Sequence, residues 1–282
     1  MSQQESWTVD GQNLSRYAFD IQTYDGLDVT PDLKGDDIDV PQRHGLILGT
    51  RYFTEAHKAV SMVVSPADSN TGVVPSNLND QRANLSANLD TLLKIFYRRK
   101  LLNVVRTLPD GSQRTAQCKT VAGVQPVNLG LSSAQVSFDL MLPYSFWRDV
   151  NNIVQAKLVG ATGAQLHFDQ FDAATGPMSD LVYTIQGPIT NPKITDLETG
   201  AWVQFTGAAL AAGNTLAFDA WAMTVTGGGG FATPALSTIT HAGDPRWLTA
   251  VPSIDGIVLQ VDGGGITAAT QLTVTGKRAF LR

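Results

Sequence analysis

Residues 133–142 carry the clearest pattern in the chain. Ala134, Val136, Phe138, Leu140 and Leu142 fall on one face, with Gln135, Ser137 and Asp139 on the other. That period of two predicts a half-buried strand, which Pro143 ends. A shorter alternation of Tyr17, Phe19 and Ile21 against Ala18, Asp20 and Gln22 predicts another. Trp7 to Val9 makes a third, with Asp10-Gly11-Gln12 as its turn. Residues 35–66 read as strand, turn, strand, broad turn, strand. Ile38 and Val40 alternate with Asp37 and Asp39, Pro41 ends the run, and Leu46 to Leu48 begin the next. Further apolar runs start at Arg51-Tyr-Phe and cover 58–64.

One segment has helical spacing. Between about 79 and 97, Leu85, Leu89, Leu92 and Phe96 form a single apolar stripe. Asn77 is the expected N-cap, and Asp80 complements the N-terminal dipole. The cations Lys94, Arg98, Arg99 and Lys100 gather at the other end, where positive charge is favoured. Arg98, Arg99 and Lys100 are also the candidate interface residues. Residues 101–107 and 114–121 then predict a hairpin through Pro109-Asp110-Gly111. The aromatic run Tyr144-Ser-Phe-Trp147 closes the first half, and a polar stretch over 149–156 marks a domain boundary near Val150.

The second half is rich in Gly, Ala, Thr and Val and shows no helical stripe. Strands are expected at 180–186, 192–196, 201–206, 215–219, 222–226, 256–261 and 271–280. Turn signals such as Gly187-Pro188, Gly213-Asn214 and Asp262-Gly263 recur about every ten residues, the spacing of a β-sandwich.

Composition narrows the function classes. With 43% hydrophobic residues the 282-residue chain can fill a core, so disorder is not expected. Only 16% of residues are charged, which suits a protein that buries surface in an assembly. A net charge of −5 offers no footprint for sequence-specific nucleic-acid binding. The polar N-terminus does not read as a signal peptide, and no apolar run reaches the roughly 18 residues of a membrane span. The expected setting is a reducing cytoplasm, or assembly there into something larger.

The search for chemistry is mostly negative. The single cysteine, Cys118, allows no intramolecular disulfide and no cysteine-based zinc site; a small packed side chain is expected there. His44, His57, His167 and His241 match no ligand motif. Asp36, Asp37 and Asp39 lack the order of a calcium loop. No nucleophile elbow or phosphate loop is present, so neither a catalytic residue, a metal nor a cofactor is assigned. Trp202, Trp221 and Trp247 stand in the second half. Tryptophan is most often packed, but an exposed Trp202 or Trp247 is a candidate for stacking on sugar rings.

Together these features resemble the siphophage distal tail protein (Dit) family across essentially the whole chain. In the first half the resemblance is carried by VPQRHG, by the helix leading into RKLLNVVRTLPDGSQRTAQC, and by VSFDLMLPYSFWRD. In the second half it is carried by GPITNPKITDLETGAWVQFTGAALAAGNTLAFD, GIVLQVDGG and LTVTGKRAFL. The resemblance implies a mainly-β protein. Residues 1–150 would be a ring-forming β-sandwich or split-barrel domain with one helix and a hairpin, and residues 151–282 a galectin-like sandwich. It implies a homo-hexamer in the virion, at the distal end of the tail and assembled in the host cytoplasm. That ring would join the tail tube protein to a tail-associated hub protein, with tape measure and receptor-binding proteins nearby and a lumen for DNA. The family brings no catalytic residues. The galectin sugar motif is absent, because His167-Phe-Asp169-Gln170 departs from it. A host-surface carbohydrate-binding module, and more remotely a polysaccharide-degrading enzyme, are the rival expectations.

Overall fold

The structure is a computed structural model that describes residues 5–14, 19–23, 30–35, 38–39, 46–47, 52–122, 126–130, 132–243 and 247–281. The segment VPQRHG and His44 lie outside these residues. The chain divides into two compact units, Met1–Val150 with Leu281–Arg282, and Asn151–Phe280.

The first unit holds strands β1 (Ser6–Val9), β2 (Gln12–Asn13), β3 (Phe19–Thr23), β4 (Leu33–Lys34), β5 (Ile38–Asp39), β6 (Leu46–Ile47), β7 (Tyr52–Phe53) and β8 (Ala56–Val64). Helix α1 (Leu78–Phe96) follows, and then β9 (Leu102–Thr107), β10 (Gln113–Thr120), β11 (Val127–Asn128), β12 (Ala134–Leu142) and β13 (Trp147–Asp149). Its main sheet runs β2-β1-β9-β10-β12-β8-β3, with β11 against β12 and β13 against β10. Strands β4 and β7 pair with each other, as do β5 and β6.

Strands β8 and β12 are antiparallel over nine residue pairs, from Ala134 opposite Val64 to Leu142 opposite Ala56. The alternating apolar residues of β12 are all buried, as are Val60, Met62 and Val64 beside them. Helix α1 packs on this face, where Phe96 stacks on Phe138 with ring centroids 4.1 Å apart. Asn77 caps the helix by accepting the Asn79 N–H at 2.9 Å. The helical stripe differs from the expected one in three places, with Asn88 and Ile95 joining it and Leu89 leaving it. Asn88 is buried and donates to the Ser65 and Ala67 carbonyls, whereas Leu89 is half-exposed. The true stripe is Leu85, Asn88, Leu92, Ile95 and Phe96, turned one position away from Leu89. Its polar member is held by the loop that leads into the helix.

The β9–β10 turn closes as Leu108 N–H donates to Ser112 O at 2.8 Å and Gly111 N–H to Leu108 O at 2.9 Å. Gly111 has φ +84°, a left-handed conformation that costs a side-chain-bearing residue about 1–2 kcal/mol. Trp147 meets Trp7 edge to face at 5.9 Å, so the aromatic run after β12 reaches the first strand of the unit.

The second unit holds β14 (Ile153–Leu158), β15 (Ala164–Phe168), β16 (Val182–Gln186), β17 (Ile189–Asp196), β18 (Trp202–Phe205), β19 (Ala209–Leu210), β20 (Thr215–Asp219), β21 (Thr224–Gly228), β22 (Ile239–Ala242), β23 (Ile257–Gly264), β24 (Gln271–Gly276) and β25 (Ala279–Phe280). Two sheets result, β14-β24-β16-β20-β21 and β15-β23-β17-β18-β22, with β19 on β17. Their inner faces meet: Phe205 of one sheet lies 5.3 Å from Phe218 of the other, and Phe218 stacks on Tyr183 at 4.8 Å. The unit is therefore a β-sandwich.

Four of its strands escape the sequence pattern, β14, β15, β22 and the two-residue β19. Strand β14 lies inside the stretch read as polar, because its polarity is inverted. Gln155 is buried, donating to Asp169 and accepting the Gln170 N–H, while Val154 and Leu158 face outward. Strand β15 is short, and β22 is an almost fully exposed edge.

Candidate assembly surface

Asp10 anchors the cationic end of α1. It sits in the β1–β2 turn with φ +49°, and its own N–H donates to the Asn103 carbonyl at 2.9 Å. One carboxylate oxygen accepts the Asn103 N–H at 3.0 Å. The other accepts Arg98 Nη1 and faces Lys100 Nζ, each at 3.1 Å. The Asn103 N–H, with Lys100 and Arg98 beside it, holds the Asp10 carboxyl below its usual range. Arg98 also donates from Nε to the Lys94 carbonyl at 3.1 Å, which ties it to the last turn of the helix.

The three candidate interface residues therefore have different roles. Arg98 and Lys100 are engaged within the unit by Asp10, a partner nearly 90 positions away that the local pattern does not signal. Arg99 is exposed and has no hydrogen-bond or ion-pair partner among the described residues. Tyr97 and Leu101, two residues to either side of it in sequence, are exposed apolar side chains, as is Val121 on a second segment. The second segment is held against the first by Thr120 Oγ1 donating to Phe96 O at 3.0 Å and Tyr97 OH donating to Ala122 O at 3.3 Å.

The two tryptophans also differ. Trp247 is 5% exposed, and its ring meets Phe218 edge-on at 6.4 Å. It is a core residue with no free face for a sugar ring, which corrects the expectation for it. Trp202 is half-exposed on β18, and Lys193 Nζ lies 4.7 Å from its ring centroid. That cation–π contact occupies the ring from within the unit.

The remaining chemistry is local. His57 pairs with Asp139 at 3.5 Å and His167 with Asp172 at 3.0 Å, all four partly exposed. Cys118 is buried, and desolvation pushes its thiol up to about 12. Asp169 is held down at about 2 by Lys157 and Gln155. Among the described residues no three His, Cys, Asp or Glu side chains gather as a metal site, and no helix is long and apolar enough to cross a membrane. A groove of about 390 Å³ runs between α1 and the β11 segment, lined by Arg82, Leu85, Ser86, Leu89, Asn128 and Gly130.

No known protein family and no curated protein matches the sequence. The fold does have counterparts among solved structures. The chain is similar to the SPP1 Dit (gp 19.1) protein, described as a paradigm of the hub adsorption apparatus in phages that infect Gram-positive hosts. The TM-score is 0.58 at 11% identity, over 98% of this chain and 99% of that one. It is also similar to chains of the phage P2 baseplate in its activated conformation. With Ca the TM-score is 0.40 at 9% identity, and with Sr 0.40 at 8%, each over 99% of this chain and 100% of the other. The SPP1 likeness shows a Dit-like fold along essentially the full length of the chain.

Proposed function

We propose that this chain is a structural protein of a phage tail, a distal tail component that forms a hexameric ring. The observation that carries the reading is the full-length likeness to the SPP1 Dit protein, which spans both units of the chain. In this reading the first unit builds the ring. Tail tube protein lies on one side and a tail-associated hub protein on the other, with tape measure and receptor-binding proteins in the same assembly. The second unit is a galectin-like sandwich carried by the ring. The work done is geometric: the ring adapts a tube to a tip and keeps a lumen open. A net charge of −5 suits a channel through which DNA slides without sticking. The protein reaches this place in the virion by assembly in the host cytoplasm, and its role is not catalytic.

The test is the particle itself. Purified protein, alone and mixed with its cognate tube and hub proteins, is measured by mass photometry and imaged by negative-stain electron microscopy. The expected result is a hexamer with a central opening. A monomer under every one of these conditions overturns the reading.

A further inference from the structure

One buried carboxyl in the second unit stands without an opposite charge. Asp196 ends β17 and is fully buried. It accepts three neutral donors: Oδ1 the Glu198 N–H at 3.3 Å, and Oδ2 the Thr199 hydroxyl at 2.8 Å and the Val251 N–H at 3.4 Å. No cation pairs with it among the described residues. The titratable side chains on the elements around it make no bond to it. Glu198 is exposed on the same turn, and His241 is exposed on the edge strand β22. Lys193 of β17 and Asp262 of β23 are opposite one another in register, on the outer face of the sheet. Asp180 lies two positions past Met178. Residues 247–251 carry no titratable side chain. Burial raises the Asp196 carboxyl above its ordinary 3.8, against the pull of its hydrogen-bond donors.

The Val251 N–H belongs to the segment that carries Trp247, Leu248 and Ala250 into the core, each at most 5% exposed. Its backbone is tied to Met178 through Ala250, by bonds of 2.8 and 3.1 Å, and to the β17–β18 turn through Asp196. Trp247 stands at φ +68°, a left-handed conformation that persists only where surrounding contacts enforce it. We propose that Asp196 is a proton-sensitive pin between the β17–β18 turn and residues 247–251, tight when its carboxyl is protonated and loosened when it is ionised. A buried carboxyl that meets only neutral donors favours its uncharged form, and opening of the segment readmits water to the charged one. Because the folded value lies above 3.8, the stabilisation is full below 3.8 and is lost as pH rises through the folded value. Residues 247–251 therefore open more readily at neutral pH than in acid. Asp10 behaves in the opposite sense, since its carboxyl is held below the ordinary range. The pin concerns the second unit alone and holds whether or not the chain forms a ring.

The test is amide hydrogen exchange of residues 247–251 in the full chain, followed from acid to neutral pH and corrected for the intrinsic rate. Protection is expected to fall as pH rises through the folded value of Asp196, by at most about tenfold per pH unit, the limit for one proton. Asp196→Asn, which cannot ionise, is expected to flatten that dependence, with the exchange of the buried strand β16 following the same profile in both proteins. Protection of residues 247–251 that does not change with pH in the parent protein overturns the pin. A fall of equal slope in Asp196→Asn also overturns it, because another group then carries the dependence. Carbon-detected NMR titration of the Asp196 carboxyl needs no variant. A value above 3.8 is expected, and one at or below 3.8 overturns the proposal.

Discussion

Leu89 and Leu92 show how much a single helical position decides. Both belong to the apolar stripe read from the sequence, yet Leu92 is fully buried and Leu89 is half-exposed at the groove. The reason is Asn88, whose amide reaches the Ser65 and Ala67 carbonyls and fixes the rotation of the helix on its sheet. Leu92→Ala is therefore expected to cost about 2–5 kcal/mol, the range for a truncated buried leucine. Leu89→Ala should cost under about 1.5 kcal/mol, because less apolar area leaves water on folding there. Denaturant midpoints of the two variants decide it. Equal losses would show that the helix is rotated toward Leu89. Tryptophan shows the same dependence on context: Trp247 joins the core through Phe218, while Trp202 stays at the surface under Lys193.

At the scale of elements, Asp10 is the joint between the β1–β2 turn, the start of β9 and the end of α1. Two stretches about 90 positions apart in sequence meet on one carboxylate. The Asn103 N–H, Lys100 and Arg98 lower its pKa in the folded protein from the ordinary 3.8. A lowered folded value means that the stabilisation is present above 3.8 and is lost as pH falls through the folded value. Asp10→Asn is thus expected to lower the melting temperature at pH 7, with the gap to the parent protein closing on acidification below 3.8. Thermal melts across that range test this. A gap that persists or widens in acid would show that Asp10 acts through the hydrogen bond to Asn103 rather than through its charge.

At the scale of the molecule, the two units each have their own aromatic core, Phe96 with Phe138 in one and Tyr183, Phe205 and Phe218 in the other. Under the proposed function, assembly belongs to the first unit. A fragment of residues 1–150 is expected to assemble, while a fragment of residues 151–280 stays folded and monomeric. Light scattering on the two fragments checks this. A monomeric first fragment beside an assembled second one would reverse the assignment.

By itself the sequence determined the elements whose polarity follows their geometry. The alternation of β12, the cap at Asn77, the Asp110-Gly111 hairpin turn and most strands of the sandwich are local signals, written in period, propensity and φ. The resemblance to distal tail proteins was legible in the same segments, and the full-length SPP1 likeness shows that fold. Tertiary structure decided the rest, because pairing energies there come from groups far apart in the chain. It inverted β14 by burying Gln155 against Asp169, and it turned α1 toward Asn88. It also divided the basic cluster, giving Arg98 and Lys100 to Asp10 and leaving Arg99 exposed. No window along the chain contains both Asp10 and Arg98. Which of three adjacent cations is available to a partner therefore became visible only once the chain had folded.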